Sequence, residues 1–290
     1  MKTYTQVAAL IANWKLSGMS KSNLIRYLAE ACLGWPYVWG GYGQFCSPEN
    51  RRAYADRSAC SSAEADQIRK KCPVLSGKQS ACAGCKYYPG GRVRFFDCRG
   101  FTRWLLQQAG LSLRGAGATS QWNDETNWAE KGPISDLPQE KVCCLFMRQG
   151  TKMSHTGMHL GNGVLIHCSG EVKRGKVTDK GWTHYAIPKG LAEEAPVPAP
   201  EPAPMPQPAL VPTPVTRRLL RKGCRGEDVK ELQSALMLLG YDLGKCGADG
   251  IFGRKTQAAV KAFQKDEGIQ VDGIAGPVTY SRLYPEGGGI

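Results

Sequence analysis

Three residues have the types and spacing for nucleophilic chemistry. Cys98 sits in Phe96-Asp97-Cys98-Arg99-Gly100-Phe101, and His155 and His167 bracket His-Thr-Gly-Met-His-Leu-Gly-Asn-Gly-Val-Leu-Ile-His further along the chain. A thiol at a helix N-terminus is held in a field that favours the thiolate, and an imidazole within reach can take its proton. Most cysteines are inert core residues. Against that reading, Asp97 before Cys98 and Arg99-Gly100 after it mark a helix start rather than a position in mid-face. From spacing alone, a catalytic set and a set of buried, non-catalytic residues both fit. A Cys-His-His zinc site is a formal third arrangement.

The positioning elements can be read from periodicity. Residues 98–109 form a helix with Phe101, Leu105 and Leu106 on one face and Gly110 as its stop. Val142–Arg148, Thr156–Leu160 and Gly163–His167 read as strands, the last two joined through Gly161-Asn162-Gly163. Alternation puts residues 155, 157 and 159 on one face, and the hairpin lets His167 orient His155 as the third member of a triad. His159 is then expected about 13 Å along the strand from His155, as a rim residue. Upstream, Val7, Leu10, Ile11 and Trp14 mark an amphipathic helix, residues 21–34 a second helix, and 37–42 a short extended turn. Helices first and strands later give an α+β domain.

The net charge of +13 and pI near 9.2 call for an acidic partner, either nucleic acid or an anionic wall polymer. Arg and Lys are scattered and no nucleic-acid motif occurs, which argues against the first. No apolar run is long enough to span a membrane. The N-terminal stretch reads as a helix rather than a signal peptide, so the protein is expected to be held in a cytoplasm until released. There, twelve cysteines argue for thiols, a metal site or catalysis rather than a disulfide framework. Proline at nearly every second position within 192–216 makes a semi-rigid linker that could hold domains roughly 60 Å apart. After it, Asp249-Gly250-Ile251-Phe252-Gly253 with Thr256 recurs as Asp272-Gly273-Ile274-Ala275-Gly276 with Thr279, in a small all-α domain over 217–290. In that repeat Asp249, Asp272, Thr256 and Thr279 read mainly as turn and cap residues.

Gly34-Trp35-Pro36-Tyr37-Val38-Trp39-Gly40-Gly41, the Cys98 segment and the two-histidine segment, in this order, resemble the NlpC-type cell-wall cysteine peptidases. The resemblance implies a papain-like domain over 1–191 that cuts peptide stems of peptidoglycan at the bond from D-glutamate, through its γ-carboxyl, to the diamino acid. It implies Cys98 as nucleophile, His155 as base and His167 as orienting group, with no catalytic cofactor. It also implies substrate contacts from Tyr37, Trp39, Asp97 and Arg99, and the Cys98 N–H as oxyanion donor. Arg99 replaces the family's usual serine, which keeps an N-acetylmuramoyl-L-alanine amidase open, and a non-catalytic wall-binding protein is the other alternative. Residues 218–284 resemble a three-helix peptidoglycan-binding domain, with Arg254 and Tyr280 as candidate contacts; together the two parts suggest a phage or prophage endolysin. The largest departure is an inserted, polar, basic segment, 45–92, next to the cleft. Its Cys82-Ala-Gly-Cys85 spacing suits zinc, with Cys46 and Cys72 completing four thiolates; free thiols or disulfides are the alternatives. Cys143 and Cys144 are expected in the core.

Overall fold

A computed structural model describes residues 1–82, 84–88, 92–179, 181–195, 218–239, 241–244 and 246–283. Most of the expected Pro-rich linker therefore lies outside the described residues. The chain divides into two compact units, Met1–Lys2 with Trp14–Pro89 and Val93–Ala203, and Thr3–Asn13 with Gly90–Arg92 and Pro204–Ile290.

The elements run α1 (Tyr4–Ser17), α2 (Lys21–Ala31), β1 (Tyr42–Phe45), α3 (Pro48–Ala55), α4 (Ser62–Lys70), β2 (Arg94–Phe96), α5 (Cys98–Gln108), α6 (Ala118–Asn123), β3 (Trp128–Pro133), β4 (Val142–Gln149), β5 (Lys152–Leu160), β6 (Val164–Ser169), β7 (Glu171–Lys176), β8 (His184–Pro188), α7 (Glu227–Leu238), α8 (Arg254–Asp266) and α9 (Pro277–Leu283). In the first unit six strands form an antiparallel sheet in the order β3-β8-β4-β5-β6-β7. β4 is central, and its Val142 to Phe146 run is buried on both faces, which is why it reads as continuously apolar. Helix α5 packs on β5 and β6. Its buried face of Phe101, Trp104, Leu105 and Leu106 meets Trp35 and Phe96, whose rings stack 6.0 Å apart.

Two glycines fix where α5 begins. A Cβ on Gly100 would lie 1.9 Å from the Gly41 carbonyl oxygen. The Asp97 N–H donates to that same oxygen at 3.0 Å. The first turn of α5 therefore rests directly on the backbone of the Tyr-Val-Trp-Gly-Gly turn, which a side chain at position 100 would prevent.

The insertion is not the core-poor loop that its polarity suggests. β1 pairs with β2 and closes its base, and α3 and α4 pack on each other. α4 begins with a capping box between Ser61 and Glu64. Tyr54, Ala55, Ala65 and Ile68 make a satellite core with Val38 and Phe95, which come from outside the insertion.

In the second unit the sequence repeat is a repeat of hydrogen bonds. The Gln233 amide donates to Asp249, the Ile251 carbonyl and Thr256, and accepts from the Gly250 N–H. Gln264 does the same with Asp272, Ile274, Thr279 and Gly273. Asp249, Asp272, Thr256 and Thr279 are thus structural, as read. Tyr280 is corrected from a candidate ligand contact to a packing residue: it is 8% exposed and its hydroxyl donates to the Arg218 carbonyl at 3.1 Å. Arg254 is exposed.

Candidate active site

Asp97 caps α5, accepting the Gly100 N–H at 2.6 Å and the Arg99 Nε–H at 3.0 Å. It is 5% exposed, and the Gly40 backbone also bonds to it, so its carboxylate is engaged in holding the helix start against the Tyr-Val-Trp-Gly-Gly turn. Cys98 follows as the first helical residue, so its N–H has no intrahelical acceptor and is available to a ligand. The sulfur faces β5, where the Thr156 N–H is directed at it. Thr156 is the neighbour of His155.

On β6, His167 lies opposite Gly157. A Cβ on Gly157 would fall 2.9 Å from the Cβ of His167 and 3.1 Å from the Trp182 ring, so this glycine makes room for the second histidine. His155 Nε2 and His167 Nδ1 are 2.8 Å apart, with the rings nearly perpendicular. With Nε2 engaged, Nδ1 is the nitrogen of His155 that is left for the thiol. If Nδ1 of His155 is to accept the thiol proton, His155 Nε2–H must donate to His167 Nδ1, which puts the proton of His167 on Nε2. Trp182 was not singled out from sequence. It is 6% exposed and packs 5.5 Å from His155 and 5.6 Å from His167, ring centre to ring centre. Asp179 was missed as well; its charge favours protonation of His167, and its Oδ2 accepts the Lys176 N–H at 2.8 Å.

Cys98 keeps some access to solvent, but its sulfur is densely surrounded. Burial, and then the Asp97 charge, push the thiol up to about 11 against the opposing N–H groups of Thr156 and Arg99. Burial, His167 and Lys173 push His155 down to about 4. Burial and Lys173 lower His167 to about 4. In the free protein the pair is therefore a neutral thiol and a neutral imidazole. The helix field contributes, but desolvation outweighs it.

Tyr37 and Trp39 line a groove with Glu64, Gln67, Ile68 and Lys71. Burial and the nearby Cys98 and Asp97 raise the Tyr37 hydroxyl well above its ordinary range. α4 of the insertion is thus one wall of the groove that starts at Tyr37. Arg99 is ion-paired to Asp97 and stacks 4.7 Å over the Tyr42 ring.

A second Cys–His pair, Cys143 Sγ and His159 Nδ1 at 3.8 Å, is 0% exposed at both residues. No scissile carbonyl can reach it. His159 is not on a rim: its Nδ1 donates to the Lys141 carbonyl at 3.0 Å and its Nε2 accepts the Gly163 N–H at 3.1 Å, which ties down the hairpin. Cys143 and Cys144 are core, as expected. Cys46, Cys72, Cys82 and Cys85 line one pocket, yet among the described residues no three His, Cys, Asp or Glu side chains stand in metal-ligating geometry. Among those residues no helix is long and apolar enough to cross a membrane.

Residues 84–189 match the model of the NlpC/P60 family, and residues 225–283 match that of a peptidoglycan binding domain. The chain carries an NlpC/P60-family domain and a separate peptidoglycan binding domain. Similar curated proteins include N-acetylmuramoyl-L-alanine amidase CwlL of Bacillus licheniformis, 50% identical over 68 residues, which are 23% of this chain and 19% of that protein. Probable endopeptidase p60 of Listeria grayi is 30% identical over 93 residues, 32% of this chain and 17% of that protein. The chain thus spans about a fifth of the length of these relatives. Among solved structures, the NlpC/p60 domain of peptidoglycan hydrolase SagA is 21% identical with a TM-score of 0.34, covering 57% of this chain and 97% of that one.

Proposed function

We propose that this protein is a cysteine endopeptidase that cuts stem peptides of peptidoglycan at the γ-D-glutamyl–diamino acid bond. The observation that carries the chemistry is the line Cys98–His155–His167, in which the sulfur faces the strand of His155 and Nε2 of that histidine is held 2.8 Å from His167. The amide carbonyl binds against the Cys98 N–H. His155 Nδ1 takes the thiol proton as sulfur attacks, and the C–N bond breaks when the imidazolium returns that proton to the leaving amine. His155 then draws a proton from water, whose oxygen attacks the thioester and releases Cys98. His167 keeps the imidazole in register and shares its charge. Bound substrate excludes water from the developing oxyanion and so strengthens its bond to the helix N-terminus.

The C-terminal domain supplies the wall-binding half of this reading, with 192–216 as a tether. Tethering a weak binder to a catalyst raises local substrate concentration without new contacts in the active site. The charge of +13 fits adsorption to anionic wall polymers, and use as an endolysin follows from the same arrangement. Mass spectrometry of muropeptides from purified walls tests the assignment. Stem fragments ending in D-glutamate, absent with Cys98→Ala, support it. Whole stems freed from glycan would make the protein an amidase, and wall binding without any Cys98-dependent product would leave a binding protein.

A further inference from the structure

Four of the five cysteines in the insertion end on one pocket. Cys46 follows β1 and Cys72 follows α4. Cys82 and Cys85 bracket a tight turn in which the Cys85 N–H donates to the Cys82 carbonyl at 2.9 Å and Gly84 takes φ +78°. The fifth, Cys60, packs instead on the satellite core. Among the described residues the only charged side chains lining the pocket are Arg51 and Lys71, and no carboxylate does.

Arg51 is the anomaly. It is 1% exposed, and its Nε–H donates to Cys46 Sγ at 3.1 Å. Both terminal guanidinium nitrogens are buried without a hydrogen-bond partner. A guanidinium does not deprotonate in a protein, and burying one unpaired is strongly unfavourable. The Tyr87 ring lies 5.3 Å from the guanidinium carbon but offers its N–H groups no acceptor, so an anion beside Arg51 is favoured, and the only groups lining the pocket that can supply a compact one are the four thiols. They do so together if they share a divalent cation: binding releases four protons and leaves a complex of charge −2, which Arg51 and Lys71 balance. The Tyr87 N–H, 3.4 Å from Cys85 Sγ, is an outer-shell donor of the kind that stabilises metal thiolates.

We propose that Cys46, Cys72, Cys82 and Cys85 bind one Zn²⁺ as a closed tetrathiolate, with Arg51 as its buried counter-ion. Ligation draws the sulfurs to about 2.3 Å from a common centre. That contraction is taken up by the turns between α4 and β2, which contain no described helix or strand. With four protein ligands the metal has no open position and is structural. Lys71 belongs both to this pocket and to the groove of Tyr37 and Trp39. The metal thus braces the end of α4 that walls the groove, at a site separate from Cys98.

The test is elemental analysis and cobalt exchange on the full-length protein, kept reduced. The proposal expects about one zinc per chain, retained in Cys98→Ala and lost in Cys46→Ser and Cys82→Ser. Cobalt in its place should give the sulfur-to-metal charge-transfer band and intense d–d bands of a tetrahedral tetrathiolate, a readout on wild-type protein that does not depend on the serine variants folding. Arg51→Gln should weaken zinc binding by about tenfold to a hundredfold. Metal-free protein whose four thiols alkylate freely or pair as disulfides, or zinc retained by Cys82→Ser, would overturn it.

Discussion

His159 offers a sharp test of which imidazole serves structure and which serves chemistry. It is fully buried, and desolvation lowers it from its ordinary value of 6.5 to about 4, against the Lys141 carbonyl that favours protonation. As pH falls below about 6.5 the unfolded chain takes up this proton while the folded chain does not, so stability is complete above that value and is lost progressively down to about pH 4. For one such group the loss between about pH 7 and about pH 5 is about 2 kcal/mol. His159→Asn removes the titration but keeps a donor toward Lys141; it forfeits the acceptor for the Gly163 N–H, at a cost of about 1–3 kcal/mol. The expected result is a variant less stable at neutral pH but with a pH dependence about 2 kcal/mol flatter than wild type over that range. All seven tryptophans lie before the linker, so tryptophan fluorescence during urea unfolding reports the catalytic domain alone. Cys98-dependent activity at neutral pH should survive. Equal slopes for the two proteins would refute the buried neutral imidazole, and abolition of activity in folded His159→Asn would refute the assignment of chemistry to His155.

His167→Ala should lower kcat at least about tenfold with little change in KM, because it removes orientation of the base rather than substrate contact; steady-state kinetics on a defined stem peptide measures this. Lys173 lowers both His155 and His167, so Lys173→Gln should raise His155 and move the acidic limb of the kcat/KM profile to higher pH. Gln264→Ala strips partners from the buried Gly273 N–H and from Thr279, and should destabilise the C-terminal domain by about 2–4 kcal/mol. Calorimetry should show that transition shifted down while the tryptophan transition stays in place.

The placement of Cys98, His155 and His167 was legible in the sequence because each carries a local signal, a helix start, a strand alternation and a turn that sets their register, while their roles came from the family resemblance. Trp182 and Asp179 carry no local signal; they lie in the connection from β7 to β8 and reach the histidines only through the sheet order, which places β6 beside β5 and β7 beside β6. The helices of the insertion were hidden for a different reason. α3 and α4 are 8 and 9 residues long and strongly polar, and their apolar partners Val38 and Phe95 lie outside the insertion. Pattern reading placed His159 on a rim because alternation assigns a face but not its depth. The organising role of the two glutamines is not readable from the repeat because Gln233 precedes its aspartate by 16 residues and Gln264 by 8, so the bonded repeat is not a repeat of sequence spacing.

The account rests on Cys98 as the nucleophile, and acid-quenched turnover tests that most directly. Wild-type protein mixed with a stem peptide, quenched and mapped by mass spectrometry, should carry an acyl group on Cys98 in the peptide that spans α5, and Cys98→Ala should form neither adduct nor product. Product formed at an undiminished rate by Cys98→Ala, or an adduct on any other cysteine, would contradict it.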